Sequence, residues 1–582
     1  MFLSSIIIKN FRAIKEANVT FNKGLNVIIG RNNTGKTAVI DALRICFSYG
    51  KQWRDIYINK EEDFYIDEST PEADLLPIEF HLIFRLEKPE EAGTYYELLA
   101  QNKDGTQEIQ LHFRYYLDAK EKIKWAVWGG DNEGQQISPD VMSLIAFIYL
   151  NPLRDAVACL KPIRWNQIGE LFAGLVKDSK GNLLDDKKRE ELANRIANTV
   201  SNDKEWKRLI EAGKNKINEH LKNSSIEEDR QAIELDFLPY EFRRIVDNIR
   251  IQLPLFDKSV IKGDQEKQKY FQLTQNGLGY NNLIYIATVL GDLINKRDVE
   301  PEAYYSLLIE EPEAHLHPQL QNLFFRYMNK LKDKGIQLFV TSHSPTITSK
   351  VDLDSLIVLQ KKNKIVNHLA LRNSELNEKN KKYLYKFLDT TKSQLFFANG
   401  VILVEGISEA LLMPVFAEKS DCDLAKFGIE IVNIGGVAFE HFAKLFNNEN
   451  KAKNLTARCA IITDDDKKDG KESSRAEKAK TLEKGNLKVS LADVTFEKEL
   501  YEKNETLLKS IYSDMHSRTT IENYIDFLEK LKTNKDKSEL AHILSVKLGE
   551  KGEAYNELTV PSYIVNAIKW VAEGKWDVQQ PV

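Results

Sequence analysis

Residues 25–47 read LNVIIGRNNTGKTAVIDALRICF, and this stretch decides the fold. An apolar run from Leu25 to Ile29 enters Gly30. Gly30-Arg31-Asn32-Asn33-Thr34-Gly35-Lys36-Thr37 then fits GxxxxGK[ST]. Val39, Leu43, Cys46 and Phe47 follow at helical spacing, with Cys46 expected as a small buried hydrophobe. Strand, glycine-rich loop and helix in this order make a P-loop, whose backbone amides and helix N-terminus cradle phosphates. Lys36 is expected to reach the β- and γ-phosphates of ATP, and Thr37 to bind Mg2+.

Working outward, SIIIKNF and NVTF upstream read as a β-hairpin, and 75–130 alternates apolar and polar residues as in an antiparallel sheet. A second apolar strand, Leu307-Leu308-Ile309, ends in Glu310-Glu311-Pro312-Glu313. Glu310 is expected to hold Mg2+ through water, and Glu311 to polarise the attacking water. Neighbouring strand residues face opposite ways, so the two acids share one nucleotide only because the strand ends there. A third strand, Leu338-Phe339-Val340-Thr341-Ser342, brings His343 to the same edge, where it suits a γ-phosphate sensor rather than a structural histidine.

Residues 168–250 are charged and helical and interrupt the α/β pattern; they read as a solvated helical insertion or as a dimerisation arm. The polar stretch KNKIVNHLALRNSELNEKNKKYLYKFLDT, 362–390, is the expected boundary before a second α/β unit.

That unit opens on the apolar strand Val401-Ile402-Leu403-Val404, tipped by Glu405-Gly406, with Glu409 on the first turn of the next helix. Another apolar strand ends in Thr463-Asp464-Asp465-Asp466. Asp464 and Asp466, two apart, are expected to share a side and Asp465 to point away. Carboxylates clustered at adjacent strand ends repel one another unless a hard cation neutralises them. The basic loop from Lys467 through Arg475 to Lys480 reads either as a solvated loop or as a salt-dependent contact to a DNA backbone.

Several of these motifs carry resemblances. The P-loop, EEPEAHLHP and VTSHSP together resemble ABC-type ATPases of the SMC and RecF kind. The resemblance implies that Arg12, in IIIKNFRAI, contacts the base or phosphates, and that Gly277 and Gly279, in LTQNGLGYNN, stand where a signature motif closes a composite site between two subunits. No serine opens that glycine pair, so trans-activation of hydrolysis is less secure than nucleotide binding. Gln52 is a guess at the Q-loop glutamine. His315 and His317 invite a metal reading, but the resemblance makes them dimer-contact residues. The glutamate-plus-DxD set resembles the Toprim fold of topoisomerases, primases and nucleases. An SMC-like ATPase followed by a Toprim unit resembles the OLD (overcoming lysogenisation defect) family, as do YLNPLRD at 149–155 and VPSYIVNAIKWV near the C-terminus. Two further carry-overs are Glu497, as an extra metal ligand, and Lys551, as a stabiliser of charge on the scissile phosphate.

The fold class implied is α/β: an ABC/SMC-like P-loop ATPase domain with a helical insertion, then a C-terminal Toprim domain. The expected divisions are 1–167, 168–250, 251–392 and 393–582. The activity implied is ATP-gated cleavage of DNA phosphodiesters with Mg2+ or Mn2+ held by Glu405, Glu409, Asp464, Asp466 and Glu497. The partners implied are DNA, a second copy or higher oligomer, and in phage defence a helicase, or a reverse transcriptase with its nucleic acid. The rival reading is a DNA-clamping SMC-like ATPase whose Toprim unit is a non-cleaving scaffold. A primase would bring a cysteine zinc module, and a topoisomerase a tyrosine-bearing extra domain; neither is evident.

Composition sets the outer bounds. At ~150 residues per domain, 582 residues allow about four units. With 82 basic and 87 acidic residues the net charge of −5 excludes a uniformly basic coat, but not a local basic path. Cys46, Cys159, Cys422 and Cys459 stand far apart, which argues against zinc and disulfides. The N-terminus reads as a strand rather than a signal peptide, and VMSLIAFIYL at 141–150 is too short to span a bilayer. A cytoplasmic, reducing location without membrane attachment is expected.

Overall fold

A computed structural model describes residues 1–51, 56–66, 75–102, 105–152, 155–175, 177, 180–181, 183–224, 233–235, 240–254, 270–314, 316–331, 334–362, 365–436, 438–467, 471–516, 521–531 and 534–576. Its strands run in chain order β1 (Phe2–Phe11), β2 (Ile14–Thr20), β3 (Leu25–Gly30), β4 (Ile78–Arg85), β5 (Leu99–Gln101), β6 (Gln107–Leu117), β7 (Ile123–Gly129), β8 (Ile145–Leu150), β9 (Leu253–Pro254) and β10 (Tyr270–Phe271). Then come β11 (Tyr304–Glu310), β12 (Ile336–Ser342), β13 (Leu356–Lys362), β14 (Ile365–Ala370), β15 (Gly400–Val404), β16 (Ile429–Asn433), β17 (Arg458–Asp464) and β18 (Leu487–Ala492).

The hairpin β1–β2 and the alternating stretch build one antiparallel sheet in the order β2-β1-β4-β6-β5, with β7 on β6. Along β6, Ile109, Leu111 and Phe113 are buried while their neighbours are not, as a sheet with one solvated face requires.

The second sheet is β14-β13-β3-β12-β11-β8, parallel except for the β13–β14 pair. Its central strands β3, β12 and β11 are buried throughout because both faces are covered. Leu25, Val27 and Ile29 enter one core with Leu307, Ile309, Leu338 and Val340. Ile28, Leu308 and Phe339 enter the other core, shared with the antiparallel sheet. Gln337 stitches the two sheets together. Its buried amide donates to the carbonyls of Leu3 (2.8 Å) and Asn22 (2.6 Å) and accepts from Leu3 N (2.9 Å) and the Tyr304 hydroxyl (2.7 Å).

The third sheet, β16-β15-β17-β18, is fully parallel. Val401, Leu403, Cys459 and Ile461 pack into the same core as Val27 and Ile29. Ile402, Val404, Ala460 and Ile462 face the C-terminal helices, among them Ser562–Glu573.

The segment 362–390 departs from expectation. It forms β14 and the helix Glu378–Phe387, and Leu369, Leu376, Leu384 and Leu388 sit in the shared core. Its polar composition belongs to an exposed face, not to a linker. The insertion is helical as expected: Asp186–Ser201 buries Ala193, and Lys204–Ser224 exposes Trp206, Leu209 and Ile217. Cys46 is fully buried, and the four cysteines are unpaired. Among the described residues no helix is long and apolar enough to cross a membrane.

Candidate functional site

Two clusters of polar side chains gather at strand ends. The first surrounds the P-loop, between β3 and the helix Lys36–Phe47. Gly30 has φ +153°, and a Cβ there would lie 2.3 Å from the Leu359 carbonyl oxygen, so only glycine fits. Thr34 is buried and donates to the Arg31 carbonyl at 2.8 Å, while Asn32 and Asn33 are exposed, Asn33 with φ 61°. Gly35, at φ 92°, is the N-cap of the helix. Lys36 points back into the loop and donates to the carbonyls of Gly30 (2.8 Å) and Arg31 (2.7 Å). Burial lowers its amine to about 8, against the opposing pull of Glu311, Glu313 and Glu310.

The acid-tipped strand meets this loop as the sequence implied. Thr37 Oγ1 donates to Glu310 Oε2 at 3.2 Å, and the Tyr149 hydroxyl donates to Glu310 Oε1 at 2.9 Å. Burial raises the Glu310 carboxyl above its usual range. β11 ends at Glu310, and Glu311 takes φ 44°, which turns its side chain onto the loop edge. There Glu311 Oε1 lies 3.2 Å from His343 Nε2. Burial, then the charge of Lys36, lowers the affinity of His343 for a proton. Glu313 accepts from Ser342 Oγ (2.7 Å) and His343 N (3.0 Å) and so fixes the histidine backbone.

Other candidates sit away from the nucleotide loop of their own chain or outside the described residues. Arg12 is held by carboxylates, with Nε on Asp63 (2.7 Å) and Nη1 on Asp41 (2.6 Å), so its first role is to tie β1 to the P-loop helix. Gly277 caps the helix Leu278–Val299 and Gly279 is buried in its first turn; neither lines the cavity beside the P-loop of its own chain. His317 is the N-cap of Pro318–Lys330 and accepts from Gln319 N at 3.4 Å, whereas His315 and Gln52 lie outside the described residues.

The second cluster lies at the C-terminal ends of β15 and β17. Glu405 accepts from Thr463 Oγ1 and from Asp464 N (3.2 Å). Glu409 lies on the first turn of Ile407–Lys419, and a Cβ on Gly406 would meet its Oε2 at 3.0 Å. Asp464 Oδ1 accepts from Phe496 N at 2.8 Å, which brings in the helix Phe496–Lys503 that carries Glu497. Burial, then Glu405 and Glu497, pushes Asp464 up to about 8. Burial, then the same two acids, pushes Glu409 up to about 7. Asp465 points away, buried, and accepts from Ser473 N at 3.0 Å. Asp466, at φ 54°, returns to the cluster.

Two cations answer these acids, and the motifs announced neither. Arg475 pairs with Glu405 through Nη2 and with Asp466 through Nη1 at 2.7 Å. Lys537 pairs with Glu497 at 2.6 Å. The basic loop is therefore partly turned inward: Lys467 pairs with Asp493 and Lys480 with Glu472. Lys551 departs from its expected place. Its amine pairs with Glu418, nine residues beyond Glu409 on one helix, about 13 Å along the axis.

The donor chemistry fits a hard cation: packed carboxylates, two of them with strongly raised pKa values, need positive charge. Buried atoms without a hydrogen-bond partner, Arg475 Nε and the Tyr563 hydroxyl, belong to the same region. Among the described residues no three ligands already close on one point; Arg475 and Lys537 each pair with members of the set.

Together these features define a P-loop ATPase head joined to a Toprim unit. The chain belongs to the AAA ATPase domain family, matched over residues 1–348, and carries the Toprim domain of overcoming-lysogenisation-defect-like proteins at residues 396–466. Among its relatives, endonuclease GajA of Bacillus cereus strain VD045 is 24% identical over 476 residues, 77% of this chain and 73% of that protein. The OLD nuclease of Thermus scotoductus is 22% identical over 447 residues, 75% of this chain and 78% of that protein. Endonuclease GajA of B. cereus strain HuB5-5 is 31% identical over 191 residues, only 28% of this chain and 27% of the relative. A solved C-terminal region of the Burkholderia pseudomallei OLD protein is 22% identical and covers 31% of this chain and 98% of its own, with a TM-score of 0.25.

Proposed function

We propose that this protein is an ATP-gated, divalent-metal-dependent endonuclease that cleaves DNA phosphodiesters. The observation that carries the reading is the gathering of acids at the ends of β15 and β17, where burial, then Glu405 and Glu497, raises Asp464 to about 8 and Glu409 to about 7. Bound Mg2+ or Mn2+ would activate water and stabilise the leaving oxygen. The chain's own part is to hold and orient: Glu405 and Asp464 as direct ligands, Glu409, Asp466 and Glu497 completing the set. Arg475 and Lys537 supply positive charge beside the cluster; sequence reading gives the stabilisation of charge on the scissile phosphate to Lys551.

On the ATPase side, Lys36 and the amides of Gly30, Asn32, Asn33, Thr34 and Gly35 bind the triphosphate, and Thr37 with Glu310 holds Mg2+. Glu311 orients the attacking water and His343 senses the γ-phosphate; their 3.2 Å contact supports a paired role. A second copy would bring Gly277 and Gly279 over the nucleotide. The exposed Leu278 and Tyr280 beside them support such docking, and so do the exposed apolar residues of Lys204–Ser224 for a dimerisation arm. The setting we favour is cytoplasmic anti-phage defence, alone or with a helicase or a reverse transcriptase with its nucleic acid.

A plasmid-nicking assay with Mg2+ or Mn2+, with and without ATP, tests the reading. Cleavage is expected from the wild type and not from Glu405→Ala or Asp464→Ala. Full cleavage by either variant would overturn it. Metal-independent DNA binding with no cleavage under any nucleotide condition would favour the scaffold alternative.

A further inference from the structure

A cavity of about 1100 Å3 opens beside the P-loop residues Arg31, Asn32 and Thr34. Arg31, Glu311 and His343 line its near wall; Lys362, Glu430 and Arg458 line its far wall, and the last two come from the Toprim sheet. The junction is built, not incidental. Gln360 on β13 accepts from Thr456 N (2.6 Å) and Thr456 Oγ1 (3.1 Å), two residues before β17 begins. Arg31 lies against the Toprim turn at Gly428, where an added Cβ would come within 3.1 Å of its Nη1.

The far wall carries cations without counter-ions. Lys362 donates to the Thr456 carbonyl at 3.3 Å and Arg458 to the Trp570 carbonyl at 2.9 Å, and among the described residues neither pairs with a carboxylate. Burial lowers the proton affinity of both, and Lys362 is further opposed by Arg458 and Lys451. The acid of that wall is Glu430, whose carboxyl burial raises above its usual range. Partly buried like charges facing a polar cavity are costly unless an anion joins them.

Arg458 also occupies a telling position. It is the first residue of β17 and Asp464 is the last, so one strand of about 20 Å runs from the cavity to the carboxylate cluster. Resting on the P-loop reading above, we propose that Lys362 and Arg458 form a second phosphate-binding wall for the nucleotide seated on the P-loop, so that β17 itself reads nucleotide occupancy. The shared chemistry is a phosphate oxyanion, which a nucleic-acid backbone could also supply, and the experiment separates the two sources.

The test is calorimetric titration of the full chain with ATPγS, and separately with a single-stranded 20-mer. Lys362→Gln and Arg458→Gln are each expected to weaken ATPγS binding roughly ten-fold, the loss typical of one charge-assisted hydrogen bond. The conservative variants Lys362→Arg and Arg458→Lys are expected to retain most of the affinity, which separates charge from folding. ATPγS affinity within two-fold of wild type in the double glutamine variant overturns the proposal, as does a loss confined to the 20-mer. Lys36→Ala is the control: if ATPγS binding survives that substitution, the P-loop reading fails, whereas loss there beside no loss in the double variant sinks only the second wall.

Discussion

Arg475 Nη1 donates to Asp466 Oδ2 at 2.7 Å, and the same guanidinium pairs with Glu405 on the neighbouring strand end. A side chain thus stands where the donor set calls for positive charge. Its presence implies competition with a metal ion. Arg475→Gln is expected to tighten Mn2+ binding several-fold in a calorimetric titration, since a fixed like charge is removed. Unchanged or weaker binding would show that Arg475 does not oppose the metal.

Metal binding should also register as stability. A ligand that binds only the folded state raises its stability by RT times the natural logarithm of one plus the ratio of free ligand concentration to Kd. Mg2+ is expected to raise the melting temperature of the wild type by a few degrees, and EDTA to reverse the rise. In Asp464→Asn the rise should vanish; if it persists, the ion binds elsewhere.

In the proposed function Lys36 takes the phosphates and Glu311 the attacking water. Glu311→Gln should keep ATP affinity but slow hydrolysis by about 10²–10⁴-fold, the range for loss of a general base. The comparison needs steady-state phosphate release beside equilibrium binding. Equal rates in wild type and variant would remove Glu311 from the catalytic step.

Lys551 provides a contrast. Because its amine pairs with Glu418 on the far end of the Glu409 helix, Lys551→Ala is expected to leave plasmid nicking within about three-fold of wild type, against near-complete loss in Glu405→Ala. A hundred-fold loss would mean that the lysine leaves Glu418 when DNA binds.

The antiparallel sheet carries a pH dependence of its own. His81 Nδ1 and His112 Nδ1 lie 2.6 Å apart, and His112 stacks on Trp128. Burial, then the His81 charge, lowers His112 to about 4; burial also lowers His81. The unfolded chain takes up these protons near pH 6.5 and the folded one only below, so the stabilisation is present above 6.5 and lost as pH falls towards 4. His112→Gln should therefore lose less melting temperature than wild type between pH 7 and pH 5. An equal loss in both would place the acid sensitivity elsewhere.

The readable parts were those in which the chemistry is local. An apolar strand followed at once by its functional residue, as at Val27–Lys36, Leu307–Glu311 and Val401–Glu405, states both the sheet and the site in one segment. The end of β11 at Glu310 was implied by the need for two adjacent acids to share one ligand; the left-handed turn at Glu311 was not. What stayed hidden depends on partners far apart in the chain. Arg475 looked like one more cation of a basic loop, because its partner Glu405 is 70 residues away. Arg12 was read against a nucleotide, and nothing local shows that Asp41 and Asp63 hold it. The stretch 362–390 looked like a boundary because its core residues, such as Leu369, Leu376, Leu384 and Leu388, are scattered through a polar run.

Finally, Val401 and Cys459 share a core with Val27 and Ile29. Close-packed interiors compress little and pass displacement on instead of absorbing it. The phosphate loop and the carboxylate strands are thus mounted on one close-packed block, which passes strain from the loop towards the carboxylate edge. In such a machine regulation needs no long travel, only fractions of an ångström at a site that works or fails on that scale.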